Sequence, residues 1–374
     1  MINFLSIWMI LVVFEIILFS SFTLIMYFFS KKKEISLKFD PLPTLTLVIP
    51  MYNEEKIIKE KIENTSRLNY PKDRLKIVIL DDHSTDKSKE ISLNAIKEQS
   101  INADIMENKG GKGKARALNW IFPFLDSEIT VISDADALLK KDSLLQISKN
   151  YSNPDIGGVT GKIVIISNEA GLSKSQEDSY RFYFDIWRIG ESKMYSVSVC
   201  NGPLMSFRTS LLKKINIDPN IYADDSDILY KIIRLGYRVI YDPEAIVYER
   251  VPLSSKGRII QKMKRINGLR KVYLKNIDLL GKRRFGTIIY PYALLTHIIS
   301  PVIILLIIII YPVIVVQNPL FLASLVLFFI PRIGETLFSF AITQLIMNFS
   351  FLIPTSGSWK PLEDARYNLK DDNY

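Results

Sequence analysis

The sequence predicts an α/β domain with a mostly parallel, doubly wound sheet, flanked by transmembrane helices. Three observations lead there. Short apolar runs alternate with amphipathic segments between Leu45 and Tyr248. Long apolar blocks stand at both ends of the chain. Polar clusters close several of the short apolar runs, as at Asp134-Ala135-Asp136. A β-α-β-α order implies a parallel sheet, and ligands of such sheets bind at the carboxyl ends of the strands.

The N-terminal block, Phe4 to Phe29, is apolar apart from Glu15 and a few hydroxyl residues. A bilayer is crossed by about 20 apolar residues, so this stretch is long enough. It lacks a basic leading segment and a small-residue cleavage site, and so reads as an anchor, not a cleaved signal. Lys31-Lys32-Lys33 follows, which places the next domain in the cytoplasm. A second block runs from about Ile288 to Ile353 behind Lys282, Arg283 and Arg284. Ile288 to Val316 reads as one span and Gln317-Asn318-Pro319 as an external turn. Leu320 to Ile353 is interrupted by Pro331-Arg332-Ile333-Gly334-Glu335 and reads either as a returning helix plus an interfacial helix or as two spans. An odd total is favoured, with Trp359 to Tyr374 cytoplasmic. The expected division is an anchor at 1–33, a cytoplasmic domain at 40–250, basic interfacial helices at 251–285, membrane helices at 286–354 and a tail at 355–374. The expected location is the cell membrane, with several crossings.

Composition excludes several classes. The 374 residues carry a net charge of +9, which juxtamembrane Lys and Arg on an anionic leaflet explain. Membrane lipids are therefore expected partners. Nucleic acid is not, because no basic helix with interleaved aromatics occurs. Cys200 is the only cysteine, which rules out a disulfide framework and a cysteine metal site. His83 and His297 are too few and too scattered for a zinc cluster. No Walker A loop is present, which argues against a nucleotide-driven transporter. Two glycosylation sequons, at Asn64 and Asn348, read as chance matches in this topology.

Leu45 to Pro50 reads as a strand closed by Pro50-Met51-Tyr52-Asn53-Glu54-Glu55, and Glu54 to Leu68 as a helix. Lys76 to Leu80 is a second strand, closed by Asp81-Asp82-His83-Ser84-Thr85-Asp86. A helix from Asp86 to Gln99 follows, with Ser84 or Thr85 as its cap. A strand-end carboxylate can accept the imide N–H of uracil; a plain helix-capping loop is the competing reading. Gly110-Gly111-Lys112-Gly113-Lys114 opens a helix from Lys114 to Phe122. Helix N-termini favour phosphate, and a basic surface loop is the alternative. Glu128 to Ser133 is a buried strand ending at Asp134-Ala135-Asp136. Two carboxylates placed there are costly without a cation, and their alternate spacing lets both reach one ion. Oxygen-only ligands suit Mg²⁺ or Mn²⁺, which usually clamp a diphosphate. Ala223-Asp224-Asp225-Ser226-Asp227 precedes an amphipathic run. It supplies either a general base beside an acceptor hydroxyl or the acidic first turn of an ordinary helix. Arg250 to Arg270 is basic and reads as helical. It is either an interfacial helix or a lid carrying Lys264 or Arg265 toward a departing diphosphate.

Taken in order, these motifs resemble membrane-bound family 2 glycosyltransferases, kin of cellulose, hyaluronan and poly-N-acetylglucosamine synthases. The likeness covers roughly Leu45 to Gly268 and the layout of flanking helices. It implies a GT-A type nucleotide-sugar-binding domain. It places Pro50, Tyr52, Glu54, Asp81, Lys112, Lys114 and Asp134 at the nucleotide sugar, with Asp81 on the uracil, and Asp136 on the metal. Asn201-Gly202-Pro203 is similar to the acceptor-side segment. Asp224-Asp225 stands where the family usually has Glu-Asp, so Asp225 falls on the catalytic base. The processive synthases carry Gln-x-x-Arg-Trp; here Gln261 is kept, but Lys264 and Arg265 replace the Arg and Trp. Asn201, Gly202, Asp224, Gln261, Lys264 and Arg265 are thus expected on the diphosphate or acceptor side.

The resemblance implies inverting transfer from a UDP-sugar to a lipid-linked or saccharide acceptor, with Mg²⁺ or Mn²⁺ as cofactor. The missing tryptophan favours adding one sugar or a few. A processive synthase that extrudes its product is the alternative enzyme, and a membrane scaffold with a dead transferase domain the alternative non-enzyme.

Overall fold

A computed structural model describes residues 3–32, 41–166, 172–250, 252, 254–330, 333–352 and 366. The chain divides into two compact units. One comprises Met1–Lys32, Asn168–Met194 and Ile259–Pro354, the other Lys33–Ser167, Tyr195–Arg258 and Thr355–Tyr374. The described helices used below are α1 (Phe4–Ser30), α2 (Ile58–Ser66), α3 (Ser88–Gln99), α4 (Lys114–Ile121), α5 (Ser143–Lys149), α6 (Leu172–Met194), α7 (Thr209–Leu212), α8 (Asp224–Arg234) and α9 (Ser255–Lys275).

The second unit is built on one eight-stranded sheet. Its strands are β1 (Leu45–Met51), β2 (Leu75–Asp81), β3 (Ala103–Glu107), β4 (Ile129–Ile132), β5 (Ala137–Leu139), β6 (Ile156–Ile166), β7 (Met205–Arg208) and β8 (Arg238–Arg250). Their order is β3-β2-β1-β4-β7-β6-β8-β5. The first four pair in parallel. Every residue of β1 and β4 is buried, which is why each reads as an unbroken apolar run. Registry aligns the exits: Met51 pairs with Asp81, Asp81 with Glu107, and Val48 with Ile132. Chain connections leave β1 toward β2 on one side and reach β4 on the other, so a switch point lies at its carboxyl end. Beyond β4 the sheet turns mixed: β7 is antiparallel to β4 and β6, β8 is parallel to β6, and β5 is antiparallel to β8. Gly158 permits the β6–β7 contact, because a Cβ there would lie 2.5 Å from a Phe207 ring carbon.

Three boundaries differ from expectation. The first helix starts at Ile58, not Glu54, because Asn53 turns the chain with a φ of 53°. The second starts at Ser88 and its cap position, Lys87, makes no side-chain capping bond. Ser84 Oγ and Thr85 Oγ1 instead accept from the Asn53 N–H and Nδ2 in the neighbouring loop, so tertiary contacts take the hydroxyls that local capping would have used. Arg250, expected in a helix, is the last residue of β8, and the helix begins at Ser255.

In the first unit, α1 and α6 approach closely at Gly190, where a Cβ would stand 2.4 Å from the Met26 carbonyl oxygen. The contacts thus group α6 with the long apolar helices, whereas the sequence reading placed it in the 40–250 domain. Among the described residues, Phe4–Ser30 and Phe285–Gln317 are long and apolar enough to cross a membrane. Pro319–Phe329 and Ile333–Phe349 meet at a bend of 103° and add a third crossing if they form one broken span. The break falls at the interruption expected from Pro331 to Glu335; Pro331 and Arg332 themselves lie outside the described residues.

Candidate active site

The loops leaving β1 and β2 are laced together. The Asn53 backbone N–H donates to Ser84 Oγ at 3.1 Å, and the Glu54 N–H to Ser88 Oγ at 2.7 Å. Asp81 ends β2, is buried, and accepts from the Ser84 N–H at 3.3 Å. Asp82 faces the glycine-lysine loop. It accepts from Asn108 Nδ2 at 2.7 Å and from the Gly113 N–H at 2.8 Å. Burial raises its pKa, and these two hydrogen bonds oppose the rise. Asn108 also donates to the Gly111 carbonyl and accepts from the Gly110 N–H, so it organises the whole loop. Sequence reasoning missed Asn108; its position directly after β3 was the available signal.

Within that loop Lys112 Nζ donates to the Tyr52 hydroxyl at 2.8 Å and lies 4.3 Å from the ring centroid. Lys114, the first residue of α4, donates to Asp134 Oδ1 at 2.7 Å and lies 3.3 Å from Asp224 Oδ2. Burial penalises its ammonium, but Asp134 and Asp224 outweigh that and raise its pKa. Asp134 is pushed up by burial, with Lys114 opposing and Asp136 adding to the rise. Lys114 therefore ties the exit of β4 to the start of α8. There Asp225 accepts from the Gly202 N–H at 3.1 Å. A Cβ at Gly202 would stand 3.2 Å from Asp225 Oδ2. Asn201 supports this turn: its Nδ2 donates to the Gly161 carbonyl and its backbone N–H to Thr160 Oγ1.

Asp136 turns to a different cation from Asp134. Its Oδ2 accepts from Arg366 Nη1 at 2.7 Å. The same guanidinium forks onto Glu54, donating through Nε to Oε2 and through Nη2 to Oε1. The two acids of the i, i+2 pair thus bond different cations. Glu54 is fully buried; burial pushes its carboxyl up to about 8, Arg366 opposes this and Asp136 adds to it. Arg366 also went unnoticed in the sequence, where nothing local marks it. It meets Glu54 across 312 positions of chain.

Among the described residues no group of three or more His, Cys, Asp or Glu is arranged to cage a metal. The donor set nonetheless fits a substrate-borne cation. Mg²⁺-type ions are commonly held by one or two carboxylates plus substrate phosphates. Glu54 and Asp136 are two carboxylates already converging on one positive charge. Of the other expected residues, Pro50 lies within β1. Gln261, Lys264 and Arg265 lie on α9 in the first unit, and their link to the diphosphate rests on resemblance alone.

The family model for "Glycosyl transferase family 2" matches residues 46–215, which span the parallel strands and both acid-bearing loops. The segment is a family 2 glycosyltransferase domain. Among curated proteins similar to this chain, "Probable glycosyltransferase YdaM" of Bacillus subtilis is 27% identical over 256 residues. That match covers 67% of this chain and 60% of the relative. Poly-beta-1,6-N-acetyl-D-glucosamine synthase of Staphylococcus aureus is 27% identical over 287 residues, 75% of this chain and 68% of the relative. The chain thus spans 60–68% of the length of these relatives. Among solved structures, the mannosyltransferase PcManGT from Pyrobaculum calidifontis, in complex with GDP-Man and Mn²⁺, is similar with a TM-score of 0.74 at 25% identity. It covers 91% of this chain and 98% of its own. The transferase domain therefore has a GT-A-like fold with a mixed sheet.

Proposed function

We propose that this chain is a membrane-bound inverting glycosyltransferase that moves a sugar from a UDP-sugar to a lipid-linked or saccharide acceptor, with Asp225 as general base. One observation supports it above the others. Lys114 joins Asp134 to Asp224, which gathers the acids of the β4 exit and the Asp224-Asp225 pair at one carboxyl edge of the sheet.

Asp136 and Glu54 would hold a divalent cation, which would supply neutralising charge at the donor diphosphate. Asp81, with Tyr52 and Lys112, lines the nucleotide side. Lys114 keeps a positive charge beside the donor phosphates while fixing Asp134. Asp225 takes the proton of the acceptor hydroxyl as that oxygen attacks the anomeric carbon from the face opposite the leaving group. The Gly202 N–H holds the Asp225 carboxylate in place for that step. One base and in-line attack require no covalent intermediate. Addition of one sugar or a few suits the altered Gln261-Lys262-Met263-Lys264-Arg265 segment.

Arg366 also supports the topology. It shares a site with Glu54 and Asp136, which supports reading Arg366 and the transferase domain on the same side of the membrane. The chain between them then crosses an even number of times, as Phe285–Gln317 plus one broken span would. With α1 the total is odd, and Lys31-Lys32-Lys33 puts the domain in the cytoplasm.

A second donor reading has its own support. The PcManGT structure, similar over 91% of this chain, holds GDP-Man. Detergent-purified protein should be offered UDP-sugars and GDP-mannose with Mn²⁺, Mg²⁺ or EDTA, beside D136A and D225N. Metal-dependent nucleotide release from one donor, lost in both variants, is the expected result. Release that persists in D225N sinks the base assignment, and release of GDP alone replaces the UDP reading.

A further inference from the structure

Behind the acidic turn stands a lysine that the reaction scheme does not use. Lys61 lies on α2 with no exposed surface. An ammonium in such a place is costly and needs compensation. Its Nζ donates to Ser133 Oγ at 2.7 Å and to the Ala137 carbonyl at 2.5 Å. Those residues immediately bracket Asp134-Ala135-Asp136. Ser133 is fixed in turn, its hydroxyl donating to the Pro203 carbonyl at 2.9 Å. Arg250, also buried, acts on the same turn: its Nη1 donates to the Asp136 carbonyl at 2.8 Å and its Nη2 pairs with Glu60, the neighbour of Lys61. Three backbone or hydroxyl points on the turn are therefore held by two cations, leaving the Asp134 and Asp136 carboxylates to Lys114 and Arg366. Burial lowers the Lys61 pKa, the charges of Asp134 and Asp136 oppose the fall, and the net value is about 7.

We propose that Lys61 is a positioning residue for the cation-binding carboxylates, clamping the Asp134–Asp136 turn from its buried side together with Arg250. The inference rests on the reading of Asp136 as a cation ligand. A residue that only filled space would affect stability and leave cation affinity alone. A clamp also sets cation affinity, whatever stability is lost when the Ser133 and Ala137 oxygens lose their buried donor.

The test is Mn²⁺ binding to the full-length protein in detergent with UDP or GDP, read by the loss of the free-ion electron paramagnetic resonance signal. Thermal unfolding is measured alongside. K61M should lower the unfolding midpoint, because the buried Ala137 carbonyl loses its donor, and bind Mn²⁺ about 10- to 100-fold more weakly, the usual effect of removing an outer partner of a metal ligand. S133A, which removes one anchor and keeps the lysine, should weaken binding several-fold and keeps the test readable if K61M does not fold. N64A is the control. Asn64 braces the far end of β5 through both backbone groups of Leu139, so it should lower stability with Mn²⁺ affinity unchanged. A wild type that binds Mn²⁺ while K61M or S133A binds it equally well overturns the clamp alone. A wild type that binds no Mn²⁺ overturns the cation reading and the clamp with it.

Discussion

The two faces of the Asp134-Ala135-Asp136 turn are held by the same kind of chemistry in opposite ways. On the open side, Lys114 and Arg366 pair with the carboxylates themselves. On the buried side, Lys61 and Arg250 bond backbone carbonyls and a hydroxyl. Open-side partners use the atoms a ligand needs and so stand in competition with it. Buried-side partners leave those atoms alone and fix where they point. A site can thus concentrate acids and keep them placed, provided the fixing groups and the exchangeable groups are different residues.

Several measurements would break or sharpen this contrast. D225N should reduce transfer by about 10²- to 10⁴-fold, the range for loss of a general base, while nucleotide binding measured by calorimetry persists. Loss of binding together with transfer would make Asp225 part of the donor site instead. D136A should reduce turnover by roughly 10²- to 10³-fold, as for loss of a charge-stabilising group. It should leave the chemical unfolding midpoint unchanged or raised, because one member of an acid cluster is gone. A clear loss of stability would mean that the open side also holds the fold together. R366A should lower the cation concentration giving half-maximal nucleotide binding by about 3- to 10-fold, equivalent to about 0.7–1.4 kcal/mol of removed competition. An increase would mark Arg366 as a diphosphate ligand rather than a competitor.

The smallest effect concerns pH. The Glu54 carboxyl stands at about 8 in the fold, above its ordinary value of 4.5. A raised acid stabilises the fold fully below its unfolded pKa, and that contribution is lost as pH rises through the folded one. Unfolding midpoints of the wild type should therefore fall relative to E54Q between about pH 5 and 8. Parallel curves would show that Arg366 keeps Glu54 ionised throughout.

Much of the parallel half was legible in the chain. β1 and β4 are buried throughout and β2 is buried beyond its exposed Lys76, and each leads into the polar cluster that the sequence displays. Asp81, Asp134 and Asp136 stand at those exits, and Lys114 at the start of a helix that a glycine-lysine loop announces. The mixed half was harder to read. β8 runs through Pro243 and ends on a buried arginine that local composition assigns to a basic helix. Capping at Ser84 and Thr85 was misread because a neighbouring loop, not the helix, takes their hydrogen-bonding groups.

By itself the sequence determined the apolar flanks, the alternation that makes a parallel sheet, and the acids at the strand exits, since periodicity and local charge are properties of short windows. Only the tertiary structure decided which cation meets which acid. Arg366 reaches Glu54 and Asp136 from the far end of the chain, and Lys61 reaches Ser133 and Ala137 from another layer. Long-range pairing of this kind leaves no local trace, because a buried charge is recognised by what surrounds it in space and not by its neighbours in sequence.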